Sequence, residues 1–288
     1  NKVEDYTISF NSNINQALEK LENGVKSKTL FVINKENKLI GSITDGDIRR
    51  GLIKGKSPKD KLNGFYNPKP FSLQLEYKIE EIISARKSGI LVIPILDDSN
   101  KICEVLDFKL QKSKINIEAL IMAGGLGTRL RPLTLETPKP LLKIGGREIL
   151  DYIVSDLIDY GISKIYISVN YLSEKFIEFL DSKEYSIPIE LVFEKQQLGT
   201  IGALNLIKNK IKSKDLLVTN GDLLTDLDFE RFLMLHKTNR AMMSVGCLVM
   251  ENKIPFAVLD TDNSEIISFK EKPTIQHKVN GGIYLINN

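Results

Sequence analysis

The sequence predicts an α/β protein in two parts: a duplicated helix-and-hairpin unit over residues 1–115 and a strand–helix unit with a mixed, largely parallel sheet over 116–288. Three observations carry this reading. A helix followed by a β-rich hairpin occurs twice, over about residues 1–57 and 65–114. From residue 116 onward, apolar runs of strand length alternate with segments whose apolar residues recur at helical spacing. A bare and basic stretch, IMAGGLGTRLRPLTLETPKPLLK at 121–143, follows directly on one of those strands. With 288 residues, 42% apolar and 27% charged, the chain is long enough to bury two cores.

In the first copy INQALEKLENG reads as a helix, TLFVIN as a strand, 35–37 as a turn, KLIGSIT as the return strand and DGDIRRGLIKG as a second helix. SPKDKLNGFYNPKP, rich in Pro, Gly and Asn, is a connector. The second copy reads KIEEIISARKSG, ILVIPIL, a turn at 97–100, then KICEVLDFKL. Beyond it, IEALIMA is a strand, ILDYIVSDLIDYG a helix ended by Gly161, KIYISVN a strand and SEKFIEFLDSK a helix. PIELVFE, TIGALNLIKNKI and DLLVTNGD continue as strand, helix and strand, and VNGGIYLINN is a final strand. In such sheets ligands collect at the carboxyl ends of the strands, where the 121–143 stretch lies.

The net charge of +3 arises from 40 basic and 37 acidic residues that are interspersed, so no basic stripe for nucleic acid is expected and an anion must be bound locally. GILVIPIL at 89–96 is too short to cross a bilayer and no secretory segment opens the chain, which points to a cytoplasmic protein without a membrane partner. Cys103 and Cys247 share no motif and are expected to be small buried hydrophobes. His236, at a helix end, and His277, in a polar loop, have no matched partner for acid–base work and are expected to be structural. The chain starts on Asn1 and stops within a strand pattern, so a fragment truncated at its C-terminus is expected.

The two copies resemble a pair of CBS motifs, a Bateman module, which implies an adenosine-nucleotide site or a regulatory platform that organises a homo-oligomer. In that family a hydroxyl at the strand end meets phosphate and an Asp three residues later takes the ribose. Here GSITDGD supplies Thr44 and Asp47 after Gly41, whereas EVLDFKL in the second copy puts Glu104, Asp107 and Leu110 at the same places, so at most one half-site is competent. The alternative is that Thr44 and Asp47 only cap the following helix.

AGGLGTRL is neither a dinucleotide fingerprint, since Leu130 stands where a third glycine is needed, nor a P-loop, since no Lys-Ser or Lys-Thr follows. Its residue types suit a triphosphate: bare glycine backbone aims N–H groups at phosphate oxygens, Arg129 can grip them bidentately, and Lys139 is stiffened by Pro138 and Pro140. AGGLGTRLRPLT followed by PKPLL resembles the signature of sugar-1-phosphate nucleotidylyltransferases. EKQQLGTIGAL, VTNGDLL, FKEKP and VNGGIYL follow in that family's order.

The resemblance implies a Rossmann-like nucleotidyltransferase domain that joins a nucleoside triphosphate to a sugar 1-phosphate, supplying activated sugar for surface polysaccharide. It places Arg129, Lys139 and Asp222 in catalysis, with Asp222 also the Mg²⁺ ligand. The nucleotide would meet Ala123, Gly124, Gly125, Gly127, Thr128, Glu194, Gln197, Gly199 and Thr200. Glu271, Lys272 and Asn280 would hold the sugar phosphate. A second metal carboxylate is expected beyond residue 288; Asp226 is nearby, and Asp228 reads as the N-cap of FERFLMLH. Ala257 stands where the family often has Gly against the sugar, leaving the sugar open. Glu194 suits the N1–H and N2–H donors of guanine and so favours GTP, while Gln197 keeps UTP or dTTP open; the alternative to an enzyme is a non-catalytic nucleotide-sensing regulatory protein.

Overall fold

Two compact units make up the computed structural model, which describes residues 2–24, 26–196 and 199–288. One unit runs through Ile115 and includes Asp159–Gly161; the other comprises Asn116–Ile158 and Ile162–Asn288.

In the first unit α1 (Val3–Tyr6), β1 (Thr7–Ser9), α2 (Ile14–Asn23), β2 (Thr29–Ile33), β3 (Leu39–Thr44) and α3 (Asp45–Ile53) form one copy. β4 (Leu73–Gln74), α4 (Ile79–Lys87), β5 (Val92–Leu96) and β6 (Ile102–Asp107) form the other. Both sheets pair their first strand parallel to the second and the second antiparallel to the third, and both shift register near the end of the middle strand. Both hairpin turns carry an Asn in the left-handed region, Asn37 at φ 61° and Asn100 at φ 60°, a conformation Asn tolerates better than most residues.

α2 begins because Asn13 accepts from the Gln16 N–H at 2.9 Å while Gln16 Oε1 accepts from the Asn13 N–H at 3.0 Å. It buries Ile14, Ala17 and Leu21, and Val92 and Val105 of the second copy join them in one core cluster. Buried Asp107 ends β6 and accepts from the Tyr6 hydroxyl at 2.8 Å and from the Ser27 hydroxyl. Burial and that bond push the Tyr6 phenol well above its ordinary pKa. The second copy's counterpart of Thr44 therefore ties the two copies together.

The second unit contains β7 (Glu118–Met122), β8 (Lys143–Ile144), β9 (Arg147–Glu148), α5 (Ile149–Asp159), β10 (Lys164–Val169), α6 (Ser173–Asp181) and β11 (Ile189–Phe193). It continues with α7 (Gly199–Gly202), α8 (Leu204–Ile207), β12 (Asp215–Asn220), α9 (Phe229–Thr238), β13 (Met243–Lys253), β14 (Val258–Asp262), β15 (Glu265–Lys270) and β16 (Thr274–Asn287). Six strands form a mixed sheet in the order β11-β10-β7-β12-β16-β13, with the first four parallel and β16 antiparallel to both neighbours. Ala119, Leu120 and Ile121 of β7 have no exposed surface, as expected of a central parallel strand covered on both faces. Ile121 pairs with Ile167 on one side and Thr219 on the other, so β7, β10 and β12 end level.

Some expectations need correction. TIGALNLIKNKI forms two four-residue helices, α7 and α8, rather than one. Both cysteines are exposed: Cys103 lies in the uncovered first half of β6 and Cys247 in the uncovered length of β13. His277 lies within β16, opposite Met250, rather than in a loop. Asp228, in contrast, caps α9 as expected, accepting from the Arg231 N–H at 3.0 Å.

Asp151, in the first turn of α5, is 7% exposed and accepts from Arg147 Nε at 2.7 Å, the Tyr185 hydroxyl at 2.6 Å and Lys183 Nζ at 3.1 Å. Burial disfavours its ionised form, but these three donors outweigh it and hold the carboxyl well below the usual range. Removing one partner of a buried charge network costs about 3–5 kcal/mol, so Asp151→Ala should lower stability at neutral pH on that scale in urea denaturation. Because folding depresses this pKa, the contribution is complete well above the unfolded value of about 4 and fades as pH falls through and below it. The gap between wild type and Asp151→Ala should therefore narrow below about pH 4.

Candidate functional site

The level ends of β7, β10 and β12 bring three loops to one edge of the sheet. A cavity of about 640 Å³ opens there, a volume typical of small-molecule sites. Its floor is the loop after β7, with Ala123, Gly124, Gly125, Gly127 and Thr128 in the lining. Neighbouring strands pin that loop: the Ala123 N–H donates to the Ser168 carbonyl at 2.9 Å and the Gly221 N–H to the Met122 carbonyl at 2.8 Å.

Each glycine has its own reason. Gly127 is left-handed at φ 60° and starts the 3-10 turn Thr128–Leu130 that carries Arg129. The buried Thr134 hydroxyl donates to its carbonyl at 2.8 Å. A Cβ on Gly124 would come within 2.9 Å of Glu194 Oε1, whereas one on Gly125 would meet nothing within 4 Å. The Gly125 position thus presents naked backbone to open space.

Charge enters from three directions. Arg129 is exposed on the rim. Lys139 sits in the 3-10 turn Lys139–Leu141 beside buried Pro140 and places Nζ 2.5 Å from Asp222 Oδ2, two residues past the end of β12. Glu194 follows β11. Its N–H donates to the Val169 carbonyl at 2.8 Å, and Asn170 Nδ2 donates to its carbonyl at 2.6 Å. The backbone of Glu194 is thus fixed, and its carboxylate lies beside Gly124.

Arg129, Lys139, Asp222, Glu194 and Gly199 all line this cavity with the glycine loop. Gln197 lies outside the described residues, as does the side chain of Thr200. Glu271, Lys272 and Asn280 are not among the cavity-lining residues. Glu271 and Lys272 are exposed in the turn between β15 and β16, with Lys272 at φ 42°. The Asn280 amide is engaged by its own strand, accepting from the Gly282 N–H at 2.9 Å and donating to the Tyr284 hydroxyl at 2.8 Å. Asn220, outside the set of residues expected from the motifs, lines the cavity at the end of β12. Its signal was its place immediately before Gly221 and Asp222 in VTNGDLL. Met122, Leu130 and Pro140, also in the lining, add apolar surface that no motif marks.

In the first unit Thr44 and Asp47 form a capping box for α3. The Thr44 N–H and hydroxyl donate to Asp47 Oδ2 at 2.9 and 2.7 Å, and Arg50 Nη2 reaches Asp47 Oδ1 at 2.6 Å. The capping alternative thus describes their contacts, although the N-cap is Thr44 and Asp47 is the third helical residue.

A cavity floored by bare backbone, rimmed by cations and seated at the carboxyl ends of parallel strands defines an α/β protein equipped for a phosphate-bearing ligand. The chain belongs to the nucleotidyl transferase family, whose model matches residues 118–288. A CBS domain model matches residues 3–54. Among curated relatives, a mannose-1-phosphate guanyltransferase of Schizosaccharomyces pombe is 36% identical over 181 residues, covering 59% of this chain and 50% of the relative. One of Debaryomyces hansenii is 33% identical over 180 residues, with 59% and 50% covered. The chain spans about half the length of the curated relatives it matches. The crystal structure of HddC from Yersinia pseudotuberculosis aligns with a TM-score of 0.48 at 26% identity, covering 59% of this chain and 76% of that one. No helix among the described residues is long and apolar enough to cross a membrane.

Two glycines that approach cavity residues, Gly282 and Gly124, make different demands. Gly282 is left-handed at φ 77°, and a Cβ there would fall 2.4 Å from Asn220 Nδ2. Gly282→Ala should cost about 1–3 kcal/mol in thermal denaturation. Gly124→Ala meets only the far end of the Glu194 side chain, in a backbone outside the left-handed region. It should stay within about 0.5 kcal/mol of wild type while displacing the carboxylate.

Proposed function

We propose that this chain transfers GMP from GTP to a sugar 1-phosphate, releasing pyrophosphate, and that the sugar is mannose. The observation that carries the reading is the convergence of Arg129, Lys139, Asp222 and Glu194 on one cavity above the glycine loop. The names of the relatives support the base and the sugar.

In the reaction an oxygen of the sugar phosphate attacks the α-phosphorus in line, a new phosphorus–oxygen bond forms, and the bond to pyrophosphate breaks. Two polyanions have to approach each other, so the protein's work is positioning and neutralisation. Backbone N–H groups of 124–128 cradle the triphosphate. Arg129 stabilises charge on the departing pyrophosphate, and Lys139 serves the α-phosphate. Glu194 accepts from N1–H and N2–H of guanine, a pair of donors no pyrimidine offers in that geometry.

Asp222 is a hard oxygen donor within the cavity, and no group of three metal-binding side chains occurs among the described residues. That donor set fits Mg²⁺, which keeps several waters and is commonly held by one or two carboxylates together with substrate phosphates. Held by Asp222, Mg²⁺ would supply neutralisation of phosphate charge.

The test is pyrophosphate release by the whole chain with mannose 1-phosphate and each of GTP, UTP, dTTP, CTP and ATP. GTP should be preferred, and Glu194→Gln should reduce kcat/KM for GTP by about 10- to 100-fold, the worth of hydrogen bonds to a charged acceptor. Turnover with no pair of substrates contradicts the reading. Equal use of GTP and UTP by both proteins contradicts the role of Glu194.

A further inference from the structure

Lys139 and Asp222, both in the cavity lining, are in direct contact. Nζ lies 2.5 Å from Oδ2, and the two side chains are 36% and 33% exposed. The pair is thus reachable from solvent but not dissolved in it. Asp222 is the carboxylate offered to a divalent cation, and the ammonium already occupies one of its oxygens. A divalent cation approaching alone must displace Lys139 or sit beside it, against like-charge repulsion. Among the described residues no ion pair joins Arg129, the other cation of the lining, to Asp222.

We infer that Lys139 is a latch on Asp222, holding the carboxylate closed to divalent cations in the ligand-free protein and releasing it when a triphosphate gives the ammonium another anion. The inference rests on the nucleotidyl-transfer reading of the cavity. By linkage, nucleotide and metal affinities rise together.

The experiment titrates the nucleotide-free whole chain with Mn²⁺ and follows free Mn²⁺ by electron paramagnetic resonance. Wild type should bind weakly, and Lys139→Met should bind about tenfold more tightly. Adding Asp222→Asn to Lys139→Met should remove the gain. Lys139→Arg, which keeps the cation, should stay weak. Arg129→Met removes a cavity charge without touching the pair and should give a clearly smaller gain. Equal Mn²⁺ affinity for wild type and Lys139→Met overturns the latch. So does a gain in Arg129→Met as large as in Lys139→Met, or one that survives loss of the Asp222 carboxylate. Turnover of GTP by wild type is measured separately. Turnover with unchanged Mn²⁺ affinity in Lys139→Met refutes the latch alone, whereas the expected Mn²⁺ pattern without turnover refutes the transferase reading alone.

Discussion

Everything at the cavity depends on β7, β10 and β12 ending level. Because Ile121 is in register with both Ile167 and Thr219, the loops after these strands leave the sheet side by side, and backbone hydrogen bonds from Ala123 and Gly221 join them. The cavity floor is consequently backbone held by the sheet rather than a free loop. A one-residue slip of β12 against β7 would turn its buried side chains to the opposite face and move Asn220 and Asp222 away from the glycines.

The supporting parts follow from that placement. Thr134 fixes the left-handed Gly127, and the Lys139–Leu141 turn lies against it, with Lys139 Cβ 3.4 Å from where a Gly127 Cβ would be. Downstream of that turn the Ile149 N–H donates to the Leu142 carbonyl at 3.0 Å, and Asp151 locks the first turn of α5 to Arg147, Lys183 and Tyr185. The segment that delivers Lys139 is thus braced on both sides. Rigid support of this kind suits the proposed nucleotidyl transfer, which relies on placement of charge rather than on a covalent intermediate.

What could be read from the sequence was local. The glycine loop, Arg129 and the proline-flanked Lys139 were legible because each residue type states a local backbone or charge requirement. The duplicated hairpins were legible from periodicity. Contacts between distant residues were not: Tyr6 with Asp107, Asn220 against Gly282 and Asp151 with Tyr185 each join segments that no spacing rule connects. Cys103 and Cys247 are exposed because the stretches of β6 and β13 that carry them are left uncovered by packing, which residue type alone does not reveal. Asn280 reads as a ligand group in VNGG, yet in the fold its amide bonds Gly282 and Tyr284, and Glu271 and Lys272 lie outside the cavity lining.

The central claim is that bare backbone at the carboxyl end of β7 receives the triphosphate. Amide hydrogen exchange of the whole chain, followed by mass spectrometry with and without saturating GTP and Mg²⁺, tests it most directly. Slowed exchange in peptides spanning 123–130 is the result this account predicts. Unchanged exchange there, with protection confined to residues 1–115, would contradict it.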